Sequence, residues 1–585
     1  MKELRHVNKY FRKYWKKLFI GTLITIIARV FQLVMPSYVS NIIEVVEKYG
    51  QGLIAKGPAQ QDLLLYIGII FGAALLSGLF TFLMRQTIIN VSRYIEFDLK
   101  NEVFDHYQKL DLNFYKSNRT GDLMNRISED VSQVRMYAGP ALMYGIQTVT
   151  LFVCLIPLMF IKAPTMAFYA LLPLPVLSVL IYWISRVIHK RSTRVQAFLS
   201  NLSTFAQESF SGISVIKAYV MESQTNAQAS DLAQEGRDKS MDLAKVNAWF
   251  FPMMILLIGV SNIFVIYVGG MQYFRGEISS LGTILEFIIY VNMLTWPVAI
   301  VGWLTSIVQR AEASQKRINE FLKQKPEIES PEQPEPLEIE GGVVFDQVSF
   351  VYPDTGIKAL DNVSFEVAPG ETLTILGKTG SGKSTLLDLI ARLYDTSTGE
   401  IRIDGVPITN LDLEALRAAI GAVPQDAFLF SDTIENNIRF GKEDAHFDEI
   451  QAVARQAVVH DNIAGFAKEY QTVLGERGIT LSGGQKQRIS IARALIKDPV
   501  IYLFDDCLSA VDTETEEAIL GNLRQASRNK TTIIVSHRVS SALHADKVIV
   551  LENGRIIQRG NHEKLMAEDG YYKDLYINQL SGKES

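Results

Sequence analysis

The chain has 585 residues, too many for one compact domain, and with 48% hydrophobic against 21% charged residues it is neither disordered nor charge-rich. Its formal charge of −5 is split: residues 1–325 carry 33 Lys and Arg against 22 Asp and Glu, whereas residues 326–585 carry 25 against 41. Two cysteines, Cys154 and Cys507, exclude a disulfide-stapled scaffold, and the acidic excess argues against a nucleic-acid partner.

In the basic front part, residues 1–325, six stretches are long and apolar enough to cross a bilayer as helices. They lie near residues 18–43, 63–89, 138–161, 165–188, 248–274 and 283–308. The first is too long for a cleaved signal peptide, and further spans follow it. Seven Lys and Arg precede the first stretch, eight run from Arg85 to Arg135 around the loop after the second, and eight from Arg186 to Lys245 around the loop after the fourth. The other three loops hold two, one and one. Cationic loops stay inside, so the expectation is a multi-pass protein with both termini and the whole acidic part in the cytoplasm.

The two inner loops are rich in helix formers, and structureless loops of that length are uncommon. They are expected to prolong the spans as helices, with tips at residues 111–125 and 209–222. Arg29 and Glu286 are charges that fall within the apolar stretches. Each costs about 2.5–3.5 kcal/mol at mid-bilayer, which makes them candidates for a substrate pathway unless they snorkel to an interface.

Residues 326–340 form an acidic, proline-rich linker. From 341 to 585, short β-branched runs alternate with helical segments, the pattern of an α/β domain with a largely parallel sheet. The overall fold class is therefore an all-α transmembrane domain of six helices with long cytoplasmic extensions, followed by an α/β nucleotide-binding domain.

The strand-like run ETLTIL leads directly into Gly377, Lys378, Thr379, Gly380, Ser381, Gly382, Lys383 and Ser384, with Thr385 next. This is GxxxxGKS between strand and helix, a loop whose backbone N–H groups cradle phosphates. Lys383 would reach the β- and γ-phosphates of ATP, and Ser384 would ligand Mg2+. The apolar strand VIYLF ends in Asp505 and Asp506, which suit a magnesium carboxylate and a group polarising the attacking water. A further apolar strand ends at His537, a candidate contact to the γ-phosphate.

Leu481, Ser482, Gly483, Gly484 and Gln485 spell LSGGQ, about 100 residues after the phosphate loop. With the phosphate loop, the strand-end aspartate and six spans ahead of them, this resembles an ATP-binding cassette (ABC) half-transporter of the type IV exporter class, over essentially the whole chain. The resemblance implies roles for further residues. Tyr352 would stack on adenine, and Gln425 would sense magnesium and the γ-phosphate. Ser509, Ala510, Val511 and Asp512 would form the D-loop, and His537 the switch histidine. Gly475, Glu476, Arg477 and Gly478 would meet the inner-loop tips. It also implies a dimer in which LSGGQ serves the partner's ATP.

One position departs from the pattern: Asp506 stands where active members carry Glu. The resemblance then suggests a heterodimer whose own phosphate loop is the slow site, with a slowly working homodimer as the alternative. The implied function is ATP-driven export of a hydrophobic or amphipathic drug, lipid or peptide across a bacterial-type plasma membrane. A lipid flippase and a nucleotide-gated regulatory subunit remain alternatives. Fusion of spans to cassette and the long inner loops speak against an importer.

Overall fold

In this computed structural model, residues 2–475, 478, 481–508 and 511–580 are described. They cluster into two compact units, one of residues 1–107 and 121–324, the other of residues 108–120 and 325–585.

The first unit is built on six helices long and apolar enough to span a bilayer. They are α1 (Trp15–Gly50), α2 (Lys56–Lys109), α3 (Thr120–Lys162), α4 (Pro164–Ser211), α5 (Glu222–Phe274) and α6 (Gly282–Leu322). At 1.5 Å per residue, the 53 residues of α5 extend for about 80 Å, far more than a hydrocarbon core of about 30 Å. The inner loops are thus continuations of the spans. Few residues of each apolar window are buried within the chain, 6% in α2 and 35% in α6, as lipid-facing helices require. Two π-turns interrupt α3, at Arg126–Asp130 and at Tyr137–Ala141, the second around Pro140, whose missing N–H breaks the regular ladder.

Polar contacts tie the extensions together. Glu102 on α2 accepts from Lys9, Tyr10 and His6 of the amino-terminal segment. Arg317 on α6 forms an ion pair with the buried Asp130 on α3, with Nε at 2.9 Å from Oδ2.

The second unit holds two sheets. An antiparallel sheet comprises β1 (Val343–Val351), β2 (Lys358–Val367), β4 (Thr398–Ile403) and β5 (Val406–Pro407), in the order β2-β1-β4-β5. A six-stranded sheet runs β10-β9-β3-β8-β7-β6. Its members are β3 (Thr372–Gly377), β6 (Ile420–Val423), β7 (Ile501–Asp505), β8 (Thr531–Val535), β9 (Lys547–Glu552) and β10 (Arg555–Gly560). All pairings are parallel except β9 with β10. The central strands read as unbroken apolar runs because both faces are covered, and Ile501, Tyr502, Leu503 and Phe504 are all buried.

Helices α7 (Lys383–Ile390), α8 (Gly483–Ile496), α9 (Thr513–Ala526) and α10 (Tyr571–Leu580) complete the unit. The linker residues between Pro326 and Leu337 form neither helix nor strand, and hydrogen bonds fasten them to the cassette: Glu335 N to Asn410 O at 2.9 Å and Ser330 Oγ to Asp412 at 2.9 Å.

The tip between α2 and α3 belongs to this second unit. Its short helix, Leu112–Ser117, is capped by Asp111, whose other oxygen accepts from Glu327 N at 2.9 Å. Leu112 packs against the core formed by Ile375, Leu386, Leu503 and their neighbours.

Candidate functional site

Strand order places the chemistry. Because β8 lies between β3 and β7, three carboxyl ends meet side by side, with Val535 level with both Ile375 and Asp505. The phosphate loop leaves β3, His537 follows β8 and Asp505 ends β7. Ligands of open α/β sheets bind at this edge.

The loop's backbone admits only glycine at two positions. Gly377 and Gly382 have φ of +151° and +99°, and a Cβ would fall 2.2 Å from Leu551 O and 2.3 Å from Ala359 O respectively. This lets α7 begin directly under the loop, with Gly382 in the left-handed region as its cap. Lys383 is buried, and its ammonium donates to Gly377 O at 2.8 Å and Lys378 O at 3.0 Å, at the centre of the loop. Burial lowers its pKa, while Asp506 and Asp505 oppose that shift. Ser381 Oγ is buried and has no hydrogen-bond partner among the described residues, a donor that suits a phosphate oxygen.

Ser384 and Asp505, both singled out for magnesium, meet at 3.0 Å. Burial raises the Asp505 pKa, the Ser384 hydrogen bond lowers it, and the neighbouring Asp506 raises it again. A hydroxyl and a carboxylate beside a phosphate cradle fit a hard divalent cation, which takes few protein ligands and completes its shell from phosphates and water. Gln425 follows β6, the strand paired with β7, and is exposed; Gln487 Nε2 donates to its carbonyl at 3.4 Å.

Asp506 lies one residue beyond β7 with φ of +41°, and its N–H donates to Val535 O at 2.9 Å. A non-glycine residue in that region signals a backbone held for a purpose. His537 is half-buried; burial and then Lys383 lower its pKa, so the imidazole is neutral at pH 7.

LSGGQ opens α8. Ser482 is the cap: its hydroxyl accepts from Gln485 N at 3.3 Å, and Gln485 Oε1 accepts from Ser482 N at 3.0 Å. This reciprocal capping box holds the helix terminus, and its N–H groups can receive an anion. Leu481 and Gly484 are buried, whereas Ser482 and Gly483 face outward. In the segment expected to form the D-loop, Val511 is buried and Asp512 caps α9 by accepting from Thr515 N at 2.9 Å. Ser509, Ala510, Glu476 and Arg477 lie outside the described residues.

Tyr352 is half-buried in an aromatic corner with Phe350 and Tyr394, at centroid distances of 4.9 and 5.5 Å. Its hydroxyl lies 2.9 Å from Thr385 Oγ1. Lys116, on the first tip, places its ammonium 4.8 Å from the Tyr352 ring centroid and 4.9 Å from that of Tyr394. Sequence reasoning missed this residue, since only the fold brings position 116 to position 352.

Two other contacts were also invisible in the sequence. Glu516, buried on α9, accepts from Arg538 and Ser540, and so ties α9 to the segment after His537. Gln579 on α10 donates to His537 O at 2.9 Å and accepts from Val539 N at 2.9 Å. His537 is thus braced on both sides.

Asp388, on α7, has its pKa raised to about 6 by burial, with Lys116 acting against the shift and Asp505 adding to it. A carboxyl whose native pKa exceeds its unfolded value near 4 favours folding in its protonated form. That contribution is present below pH 4 and lost as pH rises through about 6, a swing of about 3 kcal/mol. Asp388→Asn is therefore expected to raise the thermal inactivation midpoint of the full-length protein at pH 7.5, with little effect near pH 4. An equal gain at both pH values would exclude this origin.

In the first unit, Arg29 hydrogen-bonds Gln32 and Gln147, and Glu286 pairs with Lys162.

Residues 18–298 match the family model of the ABC transporter transmembrane region, and residues 360–509 that of the ABC transporter. The chain is 36% identical to "Probable multidrug resistance ABC transporter ATP-binding/permease protein YheI" of Bacillus subtilis (strain 168), over 98% of this chain and 97% of that one. It is 35% identical to "Multidrug resistance-like ATP-binding protein MdlA" of Escherichia coli (strain K12), covering 98% and 96%. A solved structure, "Structure of a bacterial Atm1-family ABC exporter with ATP bound", superposes with a TM-score of 0.78 at 28% identity, covering 97% and 98%.

Proposed function

The chain belongs to the ABC transporters, as a half-transporter of the type IV exporter class, and on that premise we propose that it is the slow-site subunit of a heterodimeric exporter. It is a multi-pass membrane protein and an ATPase coupled to export of hydrophobic substrates, and half-transporters of this kind dimerise. The observation that carries the heterodimer is Asp506 beside a complete set of other motifs.

In this reading the chain's own phosphate loop holds ATP slowly hydrolysed, while Ser482 and Gly484 complete the ATP site of a partner with Glu after its strand aspartate. The outward-facing Ser482 and Gly483 suit that task. Mg2+ would be held by Ser384, Asp505 and Gln425, neutralising phosphate charge. Both termini and the cassette lie in the cytoplasm, in accord with the basic inner loops.

The second tip supports a dimer. Its helix, Ile213–Ala218, is flanked by Phe210, Tyr219 and Val220, which are 76%, 75% and 81% exposed. Such apolar exposure outside the bilayer calls for a cover, and the partner's cassette provides one. ATP binding would close the two cassettes, and the tips would carry that movement to the spans.

The test is purification of the chain from its own host without overexpression of any other subunit. A half-transporter of similar size, with Glu at the position matching Asp506, should co-purify. Recovery of a homodimer alone would overturn the heterodimer.

A further inference from the structure

Arg29 and Glu286, both within apolar stretches, are handled differently. Glu286 is buried and paired with a cation: on its Oε1, Lys162 Nζ lies at 2.5 Å, Ser37 Oγ donates at 2.7 Å and the Tyr290 hydroxyl donates as well. It holds α1, α3 and α6 together.

Among the described residues Arg29 has no such counter-charge. Its guanidinium donates to Gln32 Oε1 and, at 2.7 Å, to Gln147 Oε1, and both of these are neutral amides. Gln147 is itself oriented, since its Nε2 lies 3.0 Å from Met84 Sδ and so turns the carbonyl oxygen toward the cation. These bonds use two of the five N–H donors of a guanidinium. A positive charge is thus held at depth in an apolar segment, positioned but not neutralised. Intramembrane charges of that kind mark function.

Arg29 lines a cavity of about 370 Å3 together with Arg85, Gln32, Gln147, Met84 and Met143. A second cavity, of about 480 Å3, shares Arg85, Met143 and Tyr144 with the first and is walled by Trp303 and by Pro140 of the α3 π-turn. Neither lining contains Asp or Glu. Arg85 takes part in no ion pair among the described residues. At 1.5 Å per residue, Arg85 stands about 6 Å from the inner end of its apolar stretch and Arg29 about 16 Å from that of its own. The cations therefore step from the inner interface toward mid-bilayer, and the methionines between them adapt to apolar chains of varied shape.

We propose that these neighbouring cavities bind an anionic amphiphile, its phosphate or carboxylate head taken by Arg85 and Arg29 and its chain laid against the methionines and Trp303. This rests on the exporter reading and names its substrate class.

The test uses the full-length protein, in the dimer in which it is isolated, in phosphatidylcholine nanodiscs. Binding of dodecyl phosphate, dodecyltrimethylammonium and dodecyl maltoside is followed by tryptophan fluorescence. Dodecyl phosphate should bind at least about tenfold more tightly than the other two, the scale of one charge-assisted hydrogen bond. Arg29→Gln should weaken it by about tenfold or more, Arg29→Lys should retain most of the affinity, and Arg85→Gln should weaken it as well. Unchanged dodecyl maltoside binding certifies each variant's fold. Equal binding of the cation and the anion would overturn the proposal, as would anion affinity untouched by both glutamine variants.

Competition by phosphatidylglycerol added to the nanodiscs identifies a bilayer lipid as the source, and its failure to compete identifies a soluble amphiphile. ATP-driven accumulation of dodecyl phosphate in inside-out vesicles reads the transport step separately. Binding without accumulation would count against the exporter reading and leave the site standing.

Discussion

Asp506→Glu is expected to raise ATP hydrolysis at the chain's own phosphate loop by up to about 10²-fold. The backbone at this position is fixed from both sides: β7 ends at Asp505, and the Asp506 N–H is bonded to Val535 O at 2.9 Å with φ at +41°. The carboxylate cannot advance by a backbone shift, so its reach is set by side-chain length alone. One methylene more moves it by about one C–C bond toward a water attacking the γ-phosphate, and catalysis by a positioned base is steep in that distance. The rest of the edge is ready, with Lys383 centred in the loop, Ser384 on Asp505 and a neutral His537. Phosphate release at saturating ATP, with the partner's catalytic Glu replaced by Gln, measures the effect. An unchanged rate would mean that reach is not what limits this site.

Lys383→Ala is expected to weaken ATP binding at the chain's own loop by about 10²-fold. The ammonium is buried where Asp505 and Asp506 already gather negative charge, and ATP adds more. A charge-assisted hydrogen bond lost in such a place is worth about 1.5–3 kcal/mol, or about 10–150-fold in affinity. Photolabelling with azido-ATP, read chain by chain, separates this loop from a partner's. Undiminished labelling of this chain would exclude the role given to Lys383. Robust turnover by the chain alone, abolished by the same substitution, would instead remove the heterodimer, because the slow loop would then be the working one.

The parts of this protein legible in its sequence are those written in contiguous residues. A phosphate loop is eight positions in a row, LSGGQ is five, and a bilayer span is one apolar run, so short-range pattern locates each. The parallel sheet was also readable as a class, because fully buried strands such as VIYLF leave an unbroken apolar run. Strand order is not contiguous information: nothing in the run Thr531–Val535 announces that it slips between β3 and β7. Contacts that depend on order or docking were therefore hidden. Lys116 is 236 positions from Tyr352, and Gln579 is 42 from His537. Arg29 and Glu286 were visible as anomalies, but only the structure shows Glu286 paired with Lys162 and Arg29 bonded to neutral amides.

The membership of residues 108–120 in the cassette unit sets a rule for exchanging parts. A chimera cut at the proline-rich linker alone would leave Leu112 without its apolar seat, Asp111 without Glu327 and the Tyr352–Tyr394 corner without Lys116. The evolutionary and engineering module is consequently discontinuous in the chain: a cassette travels intact only with the thirteen-residue tip that is spelled inside the membrane half.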